Sequence, residues 1–121
     1  MSFIYYNILE NYFARKENNM KHVNTDELNA LLNGDKPVII DFYATWCGPC
    51  KMLAPVFEEV SASYPDCEFV KVNVDEETEH AKKYAVAVIP TLVAVKNGSV
   101  TGTTKGYMNA DELKAFVDGC I

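Results

Sequence analysis

Six consecutive residues, Val38-Ile39-Ile40-Asp41-Phe42-Tyr43, are apolar at odd and even positions alike, apart from one carboxylate. Successive side chains of a strand point to opposite faces, so such a run fits a central strand covered on both sides, as in an α/β sheet. The chain then passes through Ala44-Thr45 to Trp46-Cys47-Gly48-Pro49-Cys50-Lys51 and into a helical pattern, with Met52, Leu53, Val56, Phe57 and Val60 on one side. Two cysteines therefore stand where a strand becomes a helix. Such a pair can close a very small disulfide ring or open to a dithiol, and so can carry two electrons by thiol–disulfide exchange.

The junction assigns a role to each thiol. A helix starting near Cys47 aims its free N–H groups and positive dipole end at that sulfur and favours thiolate, which makes Cys47 the nucleophile. Cys50, one turn into the helix and facing back, is placed to resolve the mixed disulfide. Pro49 is tolerated in the first turn, where no intrahelical bond is lost, and Gly48 leaves the sulfur uncovered. A C-x-x-C is also half of a zinc site. A closed zinc site needs four ligands, however, and the remaining candidates, Cys67, Cys120, His22 and His80, form no second close pair, so no metal is expected. Asp41, the lone carboxylate in the apolar strand, is expected to be buried with a raised pKa and to take the proton from Cys50, through a water.

The other elements follow from patterning. Asn24 can cap a helix with Glu27 three residues on, Leu28, Leu31 and Leu32 recur at helical spacing, and Gly34 is expected to end it. Pro55, inside the helix after the cysteines, predicts a kink. Glu68 to Val74 alternates and reads as a second strand parallel to the first after a helical crossover. A short helix near Glu77 to Tyr84 precedes Thr91 to Lys96 and Val100 to Thr104, which flank the hairpin signal Asn97-Gly98. Asn109 and Glu112 can cap a last helix with Leu113, Phe116 and Val117 inside. The result is an α/β fold, a central mixed β-sheet flanked by helices on both faces. The C-terminal end of its central strand, where such sheets place their sites, leads to Cys47.

With 121 residues, 49% of them apolar, the chain is long enough for one domain with a full core. A net charge of −6 without any Lys/Arg cluster argues against nucleic acid and against an anionic membrane as partners. Four cysteines at unlike spacings do not form a secreted disulfide framework, and a reductive dithiol suits a reducing compartment, so the expected location is cytoplasmic. Cys67 and Cys120 read as structural or incidental. Residues 1–19 hold Phe3, Ile4, Tyr5, Tyr6, Ile8, Leu9, Tyr12 and Phe13. No basic segment precedes them, Glu10 interrupts them and no small-residue cleavage site follows, which argues against a signal peptide, and they are too short and polar to span a membrane. They read as an extension of unknown role, as a short amphipathic helix or an apolar contact surface, ahead of a domain over 20–121. Met20 is an alternative start.

The upstream strand, Trp46-Cys47-Gly48-Pro49-Cys50-Lys51, Val88-Ile89-Pro90-Thr91-Leu92 and Lys96-Asn97-Gly98 together resemble thioredoxin, in order and in spacing, from about His22 to the C-terminus. The resemblance implies the thioredoxin fold and a protein-disulfide reductase that donates electrons to clients with reducible disulfides and is itself re-reduced by a flavin-containing thioredoxin reductase using NADPH. Its own redox group would be the Cys47–Cys50 disulfide, with no other cofactor. The resemblance further implies a cis peptide bond at Pro90, with Ile89-Pro90-Thr91 offering its backbone to an extended substrate segment. Trp46, Gly48, Pro49, Ile89, Gly106 and Tyr107 match its apolar contact surface, and Lys71 matches its lysine beside the buried aspartate, the alternative being a lysine whose head reaches water. Val88 departs from the family's usual small residue. Rival readings are a disulfide oxidase or isomerase, which Gly-Pro between the cysteines argues against, and a binding module whose cysteines are dispensable.

Overall fold

The structure, a computed structural model, describes residues 22–121. The extension over residues 1–19 and the boundary at Met20 lie outside the described residues. Asn24 and Glu27 form the expected capping box at the start of helix α1, Thr25–Leu32, with Glu27 N–H donating to Asn24 Oδ1 at 2.9 Å and Asn24 N–H to Glu27 Oε1 at 3.0 Å. The box satisfies two donors that a helix start otherwise leaves orphaned. The C-cap is Asn33 in a right-handed conformation, one residue ahead of Gly34.

Strand β1, Val38–Tyr43, is buried along its whole length. Helix α2 runs from Gly48 to Ser61 as one element through Pro55. Pro55 and Lys51 are both exposed, so the Lys51 carbonyl, which loses its usual N–H partner to the proline, can be satisfied by water. Strand β2, Glu68–Asn73, is followed by the short helix α3, Thr78–Lys83, then β3, Thr91–Lys96, β4, Ser99–Lys105, and helix α4, Ala110–Cys120. Asn109 and Glu112 close a second capping box at the start of α4.

The sheet order is β2-β1-β3-β4, with β1 and β2 parallel, β1 and β3 antiparallel, and β3 and β4 antiparallel. Two cores explain why β1 is apolar on both faces. On one side Ile39, Phe69, Leu92 and Ala94 pack against Leu53, Phe57 and Val60 of α2 and Leu113 and Val117 of α4. On the other, Val38, Ile40, Phe42, Val70, Val72, Val93 and Val95 pack under Leu28 and Leu31 of α1, with Tyr84 at the margin.

Four glycine-type positions shape the fold. Asn97 and Gly98 both have positive φ, 52° and 79°, which gives the hairpin a turn whose twist matches its strands. At Gly102 an added Cβ would lie 2.5 Å from Cys120 Sγ and 3.2 Å from Phe116 Cε1, so the bare backbone is what lets α4 approach β4. Ala85 has φ 53° at the end of α3, where its N–H bonds to Lys82 O at 3.0 Å and the Val86 N–H to Ala81 O at 2.9 Å. That is a helix stop glycine usually provides, made here by a residue with a Cβ.

Candidate active site

Cys47 is the N-cap of α2, just beyond the C-terminal end of β1. Its Sγ accepts a hydrogen bond from Cys50 N–H at 3.2 Å, so the helix start presents a free amide to the sulfur, an arrangement that stabilises a thiolate. The two cysteines are joined as a disulfide with Cα atoms 5.3 Å apart. Pro49 lies in the first turn, and a Cβ at Gly48 would meet nothing within 4 Å, so glycine relieves no clash there; Cys47 is only 5% exposed, so the expected uncovered sulfur is reduced to a narrow edge by the elements packed around it.

The loop before β3 closes over the pair. The Ile89–Pro90 bond is cis, and Ile89 O lies 3.9 Å from Cys47 Sγ. Thr91, itself buried, donates its hydroxyl to Val88 O at 2.6 Å and so fixes this turn. Gly106, with φ 85°, donates its N–H to Pro90 O at 2.8 Å, which brings the end of β4 alongside and leaves Tyr107 half exposed. Trp46 is 70% exposed, and its Nε1–H donates to Asp75 Oδ2 at 2.9 Å; the Asp75 N–H in turn donates to Asn73 Oδ1 at 2.9 Å. The large ring is thus held at the rim by a polar anchor. Asp75 was invisible in the sequence, where nothing distinguishes it from the other surface acids. Val88 is 50% exposed, adding an aliphatic side chain next to Ile89.

Asp41 and Lys71 face each other across β1 and β2. Asp41 is wholly buried, neither carboxylate oxygen has a hydrogen-bond partner, and desolvation pushes its pKa from 3.8 up to about 7, with the Lys71 charge opposing the rise. Lys71 is buried too, so its head does not reach water freely; its Nζ lies over the Tyr43 ring, 4.5 Å from the centroid. No hydrogen bond joins Asp41 to Cys50 directly. Cys67 and Cys120 are buried free thiols, both pushed up in pKa chiefly by burial, which keeps them protonated and poorly nucleophilic. Among the described residues, no group of three or more His, Cys, Asp and Glu is arranged to hold a metal ion, and no helix is long and apolar enough to cross a membrane.

Comparison with known proteins gives a consistent result. The family model described as Thioredoxin matches residues 19–119. A thioredoxin of Mycoplasmoides gallisepticum is 45% identical over 99 residues, covering 81% of this chain and 99% of that protein. Thioredoxin-1 of Saccharomyces cerevisiae is 46% identical over 80 residues, 66% of this chain and 78% of the relative. The crystal structure of a Malassezia sympodialis thioredoxin superposes with a TM-score of 0.75 at 36% identity, covering 84% of this chain and 91% of the other.

Proposed function

This chain belongs to the thioredoxin family of thiol–disulfide oxidoreductases and reduces disulfides in client proteins; from that premise we propose how its own residues divide the work. Cys47 thiolate attacks one sulfur of a client disulfide. A Cys47–client bond forms, the client S–S bond breaks, and the other client sulfur leaves as a thiolate. Cys50 then gives its proton to Asp41 through a water and attacks Cys47 Sγ. The Cys47–Cys50 bond closes and the second client thiolate departs, so the client gains the two electrons that the dithiol loses. The Cys47–Cys50 pair is the redox group, and no further cofactor takes part on this chain.

The observation that carries this reading is the Cys50 N–H donated to Cys47 Sγ at the start of α2, beneath the Ile89 carbonyl. An extended client segment pairs with the backbone around Ile89, Pro90 and Thr91, while Trp46, Gly48, Pro49, Gly106 and Tyr107 supply the apolar contact. Asp41, whose pKa stands at about 7, is matched to accepting a proton near neutral pH, and Lys71 tempers it. Thioredoxin reductase using NADPH returns the electrons, and the reductive direction fits the cytoplasm.

Disulfide reduction on an insulin-type substrate tests the assignment. Cys47→Ser abolishes turnover, whereas Cys50→Ser accumulates a mixed disulfide with substrate, because only the resolving step is lost. Trapping by Cys47→Ser and not by Cys50→Ser would reverse the roles. A wild-type chain that reduces the substrate no faster than Cys47→Ser would make the protein a binding module whose cysteines are dispensable.

A further inference from the structure

Lys71 stands directly opposite Asp41 in the parallel register, yet both carboxylate oxygens lack a hydrogen-bond partner. Two buried groups of opposite charge in this position ordinarily close into a contact pair, since each is the other's nearest means of offsetting lost hydration. Here the ammonium lies instead over the face of Tyr43, the residue two positions after Asp41 and on the same side of β1. Tyr43 is itself held. Its hydroxyl hydrogen-bonds to His22 Nδ1, and the two rings meet edge to face with centroids 5.1 Å apart. His22 is fixed in turn by a parallel bridge to Lys71, next to Val23 N–H donating to Lys71 O at 2.9 Å. Backbone and side chains therefore close a ring: Lys71 holds His22, His22 holds Tyr43, and the Tyr43 face holds the Lys71 ammonium.

We infer that Tyr43 is a positioning residue for the resolving step, its ring keeping the Lys71 ammonium at a stand-off from Asp41 so that the carboxylate stays a usable base. Closed onto Asp41, the ammonium would hold the carboxylate ionised and too weakly basic to draw a proton from Cys50. Held on the ring, it lends its charge without a hydrogen bond. Tyr43 also lines a cavity of about 290 Å3 together with the titratable groups His22, Glu27, Glu76 and Glu77. Burial first, then the charges of Glu76 and Asp41, raise the Tyr43 hydroxyl pKa, and a hydrogen bond with Asn73 opposes the rise.

The inference rests on Asp41 as the proton acceptor for Cys50, and a direct titration of Asp41 separates the two. The measurement is the pH dependence of the Asp41 carboxyl carbon resonance in the oxidised full chain, with folding checked by the amide spectrum. Tyr43→Leu lets Lys71 close onto the carboxylate and moves the Asp41 midpoint down by about one unit or more, while Tyr43→Phe, which keeps the ring, restores most of it. Should the leucine variant fail to fold, pentafluorophenylalanine at position 43 keeps the shape, withdraws the negative ring face, and moves the midpoint down relative to Phe. Single-turnover kinetics then show the resolving step slowed near neutral pH and its pH profile displaced in the same direction. An Asp41 midpoint unmoved or raised in the leucine and fluorinated variants overturns the stand-off. A resolving step whose pH profile is the same in Asp41→Asn overturns the proton-acceptor reading instead, and the titration still decides the role of Tyr43.

Discussion

Asp41→Asn isolates the energetic consequence of burying a carboxyl beside the redox pair. A folded pKa of about 7 against 3.8 means that the native state binds this proton more tightly than the unfolded chain does. The group's contribution to stability is therefore fully present below about pH 4, where both states are protonated, and is lost as pH rises through about 7. At about 1.4 kcal/mol per unit, the full difference is up to about 4 kcal/mol against the native state above neutrality. Asparagine fills the same space and cannot ionise, so Asp41→Asn removes the pH-dependent liability and leaves at most a constant offset from its amide. Urea melts of the oxidised protein at a series of pH values check this. The variant's advantage should be near its minimum at pH 4, grow steadily to pH 7 and then level off, with a midpoint gap of roughly 2–3 M urea at the plateau. The same variant should slow the Cys50 step in single turnover while the first attack by Cys47 changes less. A stability difference between variant and wild type that is independent of pH, or that moves against the variant as pH rises from 4 to 8, would refute the reasoning, because a carboxylate stabilised in the fold cannot have a raised pKa.

Ala85→Gly should stabilise the protein by roughly 0.5–1 kcal/mol, since it relieves a left-handed conformation costing about 1–2 kcal/mol and returns part of that as unfolded-chain entropy; thermal melts read the shift. Gly102→Ala should destabilise it by about 1–3 kcal/mol, because the new methyl cannot coexist with Cys120 Sγ and α4 must move; an unchanged denaturation midpoint would contradict the close approach. A chain beginning at Met20 should keep its reductase turnover, because the family match starts at residue 19 and every site residue lies beyond it; a folded truncation that loses most of its turnover would assign residues 1–19 to the site.

Much of this protein was legible in local chemistry. Residues Val38–Tyr43 announced a doubly covered central strand, Asn24 with Glu27 and Asn109 with Glu112 announced two helix starts, Asn97-Gly98 announced the hairpin, and the cysteine pair announced the chemistry. These features depend on neighbours a few residues apart, so a one-dimensional pattern contains them. The family motifs added Pro90 and Gly106, remote in the chain, to the surroundings of Cys47. What the pattern could not contain is decided across the sheet and between loops. Asp75 anchors Trp46 from a loop 29 positions away, and Gly102 is required only because α4 returns to lie on β4. The position of the Lys71 ammonium is of the same kind. Sequence puts one lysine and one aspartate in two strands, but whether they pair depends on a tyrosine ring and a histidine brought in from before the first helix. Charge interactions in a buried site change sharply over a few ångströms, and only the packed tertiary structure sets distances on that scale.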